Sequence, residues 1–108
     1  NHVMNDRSLA IIDNYKVPPL SEYDPALGAG WCIPIKILTK KTKTGKWFHT
    51  IDVIDSNSEV TRLRCWGVNP DVDIIYLNKP YVLKYPKFNE TWGFSTYGAV
   101  DKKWMMIG

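Results

Sequence analysis

Cysteine and histidine are scarce in this chain of 108 residues, which contains two of each. Cys32 and Cys65 lack C-x-x-C spacing and are too few for a disulfide scaffold or a four-cysteine zinc site. His2 and His49 stand in no order that indicates a Ser-His-Asp or Cys-His nucleophile. A glycine-rich phosphate loop is also missing. The sequence therefore predicts no catalytic residue, no metal site and no cofactor, and we expect the chain alone not to be an enzyme.

Long apolar runs are absent too. No segment approaches the roughly 20 apolar residues that a membrane-spanning helix needs, and the first residues do not read as a signal peptide. The length suits one domain. We expect a monomeric cytoplasmic protein without membrane contact, in which both cysteines are free thiols because the cytoplasm is reducing.

Aromatic residues, in contrast, are abundant: 5 Trp, 6 Tyr and 3 Phe make up 13% of the chain. A domain of this size cannot bury that many rings in its interior. We therefore expect some of them to lie on a surface that binds a ligand.

Positive charge is concentrated in one short segment. The net charge of the chain is +3; residues 1–31 contribute −2, so residues 32–108 contribute +5. Clustered lysines attract phosphate backbones, but they also protect the exposed edge of a hairpin. The charge pattern alone leaves both interpretations open. The cluster consists of Lys36, Lys40, Lys41, Lys43 and Lys46.

The first part of the chain, residues 1–31, is predicted to be an extension or connector that precedes a domain at residues 32–108. Prolines at 18, 19 and 25 impose extended or turn conformations, and Gly28-Ala29-Gly30 is typical of a flexible joint. Leu9–Ile12 fits either the end of a helix or a short apolar anchor. Leu20 and Tyr23 are the expected anchors of this extension on a barrel or on a neighbouring domain.

From Cys32 onward the pattern predicts five short strands, with a long break between the third and the fourth. This arrangement favours an all-β OB-fold, a five-stranded Greek-key barrel, over a small SH3-like barrel. The predicted interior residues share period-two alternation in the first three strands; they are Ile33, Ile35, Ile37, Ile51, Val53 and Leu63. The strands are expected at 32–38, 47–55, 60–66, 80–85 and 92–97, followed by an apolar segment at 104–107.

The third strand carries the most informative pattern. Alternation places Arg62, Arg64 and Trp66 on one face, and Phe48 shares that face if the register of the second strand matches. Arginine binds phosphate and stacks on bases, and tryptophan offers a platform for any base. The alternative is that Trp66 packs under a loop and Arg62 pairs with Asp52.

The fifth strand adds three rings. Trp92 and Phe94 are expected in the core, because a small barrel needs large interior side chains. Tyr97 is the better surface candidate. The predicted nucleic-acid-binding residues are therefore Lys40, Lys41, Lys43, Lys46, Phe48, Arg62, Arg64, Trp66 and Tyr97.

Several short motifs resemble the OB-fold domain of replicative DNA polymerase III alpha subunits of the bacterial or phage type (family C). They lie within Val17–Gly108, and the segment Val17–Pro25 looks like the connector into that domain. The resemblance maps the lysine hairpin, Arg64 and Trp66 onto the family's groove, whereas Arg62 matches no family motif. The motifs are Lys43–Phe48, Val53–Ser56, Arg64–Val68, Leu77–Tyr81 and Trp92–Phe94.

This resemblance implies a non-catalytic module that contacts single-stranded template DNA beside the polymerase core of a larger parent nucleotidyltransferase. Other replisome proteins are a second class of partner. Two alternatives stay open: a protein-interaction module for a clamp or clamp loader, and an OB-fold that binds RNA or tRNA.

Overall fold

The computed structural model describes residues 4–108, and strands make up most of its regular structure. Two helices, α1 (Asp6–Tyr15) and α2 (Val100–Lys103), and one 3₁₀ turn at Leu20–Glu22 accompany them. The strands are β1 (Ala29–Lys41), β2 (Trp47–Ile54), β3 (Thr61–Trp66), β4 (Tyr81–Lys84), β5 (Lys87–Asn89), β6 (Gly93–Tyr97) and β7 (Trp104–Met106).

All seven strands form one curled, half-barrel sheet in the order β5-β6-β3-β2-β1-β4-β7. The pairs are antiparallel except for β3 and β6, which run parallel. The long β1 pairs with β2 through its second half and with β4 through its first half. The prediction of a mostly β fold is confirmed. The sheet contains two short strands, β5 and β7, beyond the five that were expected, and β1 begins at Ala29 rather than at Cys32.

The main core lies on the concave side of the sheet. Of the predicted interior residues, Ile51, Val53 and Leu63 are buried there, and Ile37 packs against the cluster. Leu20 is buried in the same core, and Tyr23 packs on Phe94 with ring centroids 5.7 Å apart. The expectation that these two residues anchor the N-terminal segment is confirmed, and they anchor it to the sheet of the same chain.

Ile33 and Ile35 were predicted to point into the barrel, and both predictions are wrong. The β1–β2 register shifts between Pro34 and Lys36, so that Ile35 is the extra residue of a β-bulge and is only half-buried. A bulge inserts one residue and reverses the alternation on its two sides. Cys32 therefore faces the main core, and Ile33 lies on the opposite side of the strand.

Ile33 is buried there beneath α1, in a second cluster with Trp31 and Val82. Ile11 and Ile12 of α1 pack on this cluster, whereas Leu9 of the same apolar run is exposed. The helix begins after Asn5, whose side chain accepts a hydrogen bond from the Ser8 backbone N–H at 2.8 Å. Helix α1 thereby covers the convex side of the first half of β1 and leaves the second half uncovered.

Both cysteines are buried free thiols. Burial raises the pKa of the Cys32 thiol strongly and that of Cys65 to about 11. Among residues 4–108 no helix is long and apolar enough to span a membrane.

Candidate nucleic-acid interface

The convex face of β2, β3 and β6 gathers the polar and aromatic side chains predicted from the sequence. Register pairs Phe48 with Trp66 across β2 and β3, and Trp66 with Tyr97 across β3 and β6. Paired residues on neighbouring strands point to the same side of the sheet. Leu63 and Cys65 are buried on the other side of β3. The predicted grouping of Phe48 with Arg62, Arg64 and Trp66 on one face is confirmed, and the register adds Tyr97 to that face.

Phe48 and Trp66 stack on each other. Their ring centroids are 4.6 Å apart and the ring planes are inclined by 29°. Trp66 also lines a groove that Phe48 does not reach. Phe48 therefore covers one side of the indole and holds it in place, while Trp66 is the ring that a bound molecule in the groove can touch.

Trp92 was predicted in the core, and that prediction is wrong. Its side chain is 67% exposed, immediately before β6 in the turn that joins β5 and β6. The Asn89 side-chain carbonyl accepts hydrogen bonds from the backbone N–H groups of Thr91 and Trp92, at 2.8 and 3.2 Å. Gly93 then adopts φ +78°, a conformation that glycine reaches without strain. This tight turn lifts the indole away from the interior.

Arg64 connects Trp92 to the face of the sheet. Its guanidinium carbon lies 5.7 Å from the Trp92 ring centroid, and Nη1 donates to the Trp92 carbonyl oxygen at 3.2 Å. A cation over an indole face is attractive, and the hydrogen bond to the carbonyl oxygen adds a second restraint on the guanidinium. Arg64 is thus held in a defined orientation.

These residues line a groove of about 380 Å³. Four of the seven lining residues carry rings, the single charged one is an arginine, and none carries a carboxylate. A concave, mostly apolar site with a few polar groups is typical of ligand-binding pockets. The lining residues are Arg64, Trp66, Asn89, Trp92, Phe94, Ser95 and Tyr97.

Arg62 lies on the same face, but its guanidinium is occupied. Nε donates to Asp52 Oδ1 at 2.8 Å and Nη2 donates to Oδ2 at 3.4 Å. The hydrogen bond from Arg62 lowers the pKa of the Asp52 carboxyl group, and the same interaction raises the pKa of Arg62. The structure therefore shows the pairing of Arg62 with Asp52 that the sequence left open. The guanidinium of Arg62 is occupied by a carboxylate, whereas that of Arg64 is not.

The four predicted hairpin lysines divide between two sides. Lys40 pairs with Phe48 and shares its face, whereas Lys41 pairs with Trp47 on the opposite side and places Nζ 5.5 Å from that ring. Lys43 and Lys46 lie exposed at the hairpin tip. The hairpin can therefore present Lys40, Lys43 and Lys46 to a ligand on this face, but Lys41 points away from it.

A second basic area borders the groove on its other side. Lys87 of β5 places Nζ 5.3 Å from the Tyr97 ring, and Tyr97 is 54% exposed, as its assignment to the surface requires. A smaller pocket of about 210 Å³ lies here, lined in part by Lys87, Ser95, Tyr97 and Lys103. Neither Lys87 nor Lys103 was among the predicted binding residues, because their approach to Tyr97 depends on β5 and α2, which the sequence did not predict.

His49 is buried and supports the sheet. Its Nε2 donates to the Asp73 carbonyl oxygen at 2.7 Å, and its Nδ1 forms a second hydrogen bond with Thr39 Oγ1 at 2.8 Å. The Asp73 carboxylate accepts the backbone N–H groups of Asn69 and Val100. This network ties the segment between β3 and β4 to β2 and α2. Within residues 4–108 no group of three His, Cys, Asp or Glu side chains is placed to hold a metal ion.

Comparison with family models, with curated proteins and with solved structures gives no match to this chain. The assignment of a function therefore depends on the residues of the face itself.

Proposed function

We propose that this chain is a non-catalytic OB-fold module that binds single-stranded DNA across the convex face of β2, β3 and β6. The observation that carries the proposal is the groove in which a fixed arginine stands among exposed aromatic rings, with basic side chains on both sides. Single-stranded nucleic-acid sites combine these two elements: rings on which bases stack and cations that follow the backbone.

The pairing order supports the OB-fold assignment. Tyr85 and Pro86 alone separate β4 from β5, so the two can be counted as one bent strand. The pairs then run in a circle, from β1 to β2, β3, β6 and the bent strand, and back to β1. An OB-fold is a five-stranded Greek-key barrel that binds oligonucleotides on the face of its second and third strands. Strand β7 is an addition to this pattern.

The charges on the face support a nucleic-acid ligand over a protein ligand. Lys40 shares the face of Phe48, Lys43 and Lys46 lie exposed at the hairpin tip, and Lys87 and Lys103 line the neighbouring pocket beside Tyr97. The carboxylate of Asp52, which lies on this face, is neutralised by Arg62. A chain of phosphates that crosses the groove would meet cations at both ends and rings between them.

The resemblance of the short motifs supports the further proposal that this module belongs to a replicative polymerase and contacts its template strand. In such a parent protein the module would supply part of a longer DNA path, so the affinity of the separate chain is expected to be modest.

The test is a titration of the isotope-labelled chain with a short unstructured thymidine oligonucleotide, followed by amide chemical shifts at several salt concentrations. We expect changes in the amide chemical shifts of β2, β3, β6 and the hairpin tip. The affinity should fall as the salt concentration rises: for each phosphate contact, log affinity should drop by about 0.7 when the salt concentration increases tenfold. If saturating DNA shifts no resonance of this face, the proposal is wrong. If a clamp or clamp-loader protein shifts them instead, the interaction-module alternative replaces it, and a stronger response to RNA of equal length favours the RNA alternative.

A further inference from the structure

We infer that the groove between Arg64 and Trp92 selects guanine over adenine in the bound strand. This inference rests on the proposed function, because it names the base that the same groove accepts. It depends on which hydrogen-bonding groups of the lining side chains are already used and which are free.

Arg64 offers an unoccupied, oriented set of donors. Its one hydrogen bond within residues 4–108 joins Nη1 to the Trp92 carbonyl oxygen, at 3.2 Å. Nε and Nη2 remain available, and the guanidinium carbon lies 5.7 Å from the centroid of the Trp92 ring. An arginine whose adjacent N–H groups are free pairs best with two neighbouring acceptors in one plane.

Asn89 supplies a second donor and no acceptor. Its Oδ1 already accepts the N–H groups of Thr91 and Trp92, so that the amide is fixed and Nδ2 is the group left for a ligand. Asparagine reads adenine by accepting the adenine amino group at Oδ1 while Nδ2 donates to N7. Asn89 cannot do so without breaking the turn that positions Trp92.

Arg64 and Asn89 therefore present donors to the groove, no lining residue carries a carboxylate, and the hydroxyl groups of Ser95 and Tyr97 can either donate or accept. Guanine shows two adjacent acceptors, O6 and N7, on its major-groove edge, whereas adenine shows N7 next to an amino donor. The two purines have similar stacking surfaces, so the rings of Trp66 and Trp92 do not distinguish them. The difference comes from the edge that faces Arg64.

The neighbouring Arg62 provides a matched contrast. It lies on the same strand and the same face, but both Nε and Nη2 are committed to the Asp52 carboxylate. Arg62 therefore lacks the free pair of N–H groups that Arg64 retains, and we expect it to contribute nothing to base selection.

The experiment measures binding of the chain to labelled thymidine pentamers whose central base is guanine, adenine, inosine or 7-deazaguanine. A bidentate arginine contact at this partly exposed position should make guanine bind about fivefold or more tightly than adenine. Inosine, which keeps O6 and N7, should match guanine. The 7-deaza base, which lacks the N7 acceptor, should fall towards adenine.

Arg64→Lys keeps the positive charge and removes the planar pair of donors, so the guanine-to-adenine ratio should fall to about one. Arg62→Lys is the matched control and should keep the ratio of the unmodified chain. Equal, salt-dependent binding of guanine and adenine oligonucleotides by the unmodified chain would overturn this inference and leave the proposed function intact. A preference that survives in Arg64→Lys or with 7-deazaguanine also overturns it. Failure of every oligonucleotide to bind contradicts the proposed function itself.

Discussion

Replacing Trp92 by alanine is the most direct perturbation of the groove. The indole is 67% exposed, so its removal takes little apolar surface out of the core and should change the free energy of unfolding by no more than about 0.5 kcal/mol. Stacking of one base on an aromatic ring contributes about 1–3 kcal/mol to single-strand binding. We therefore expect Trp92→Ala to weaken oligonucleotide binding by about 5- to 150-fold.

The magnitude should lie in that range because Arg64 keeps part of its support in the variant. Arg64 donates to the backbone carbonyl of residue 92, and this bond does not need the indole. Trp92→Phe keeps a ring at the same place and should recover most of the affinity. Tyr15→Ala removes a 73% exposed ring from α1, away from the groove, and is the matched control.

Fluorescence anisotropy with a labelled thymidine oligonucleotide measures the affinity, and thermal unfolding followed by circular dichroism checks the fold. A Trp92→Ala variant that melts like the parent and binds equally well would refute the stacking argument. Equal reductions of affinity in Trp92→Ala and Tyr15→Ala would also refute it, because α1 does not line the groove.

Three further predictions concern charge, burial and pH. The double variant Lys43→Ala, Lys46→Ala should reduce the steepness of the plot of log affinity against log salt concentration by about 0.7 for each phosphate that the protein no longer binds. Lys41→Ala, on the opposite side of the hairpin, should leave this slope unchanged. Binding titrations at several salt concentrations measure both slopes. Asp73→Ala leaves two backbone N–H groups without their acceptor, which should lower the free energy of unfolding, measured with urea, by about 2–4 kcal/mol. An unchanged urea midpoint would contradict the structural role of this carboxylate. Burial raises the pKa of the Cys65 thiol from 9.0 to about 11, so this thiol ionises at a lower pH in the unfolded state than in the folded state. The free energy of unfolding should therefore fall by about 2–3 kcal/mol as the pH rises from below 9 to about 11. Cys65→Ala should lose less stability than the parent over the same pH interval, and an equal loss in both proteins would disprove this account.

Strands β2 and β3 follow directly from the sequence. Ile51, Val53 and Leu63 alternate with polar and aromatic residues, and the paired register then places Phe48 beside Trp66. Period-two alternation decides which face is buried because successive side chains of a strand point to opposite sides. The common face of the predicted binding residues on these two strands could therefore be found without a structure.

The interior of β1 could not be found in the same way, because its bulge at Ile35 depends on pairing with β2. The same alternating isoleucines fit an unbroken strand equally well. One inserted residue reverses the pattern, and the burial of Ile33 then requires α1 on the convex side of the sheet. Only the paired strands and the packed helix fix that outcome.

The position of Trp92 likewise depends on the folded chain. A large aromatic residue beside a predicted strand suits a core, and the residue type alone favoured that assignment. The turn between β5 and β6 places the ring outside instead, because Asn89 binds two backbone N–H groups and Gly93 adopts a positive φ.

Alternation along β2 and β3 is enough to tell which of their side chains share a face. The partners of the two arginines, Asp52 for Arg62 and Trp92 for Arg64, are set by the folded sheet, since each pairing joins residues that are distant in the chain and meet only across neighbouring strands or at a turn.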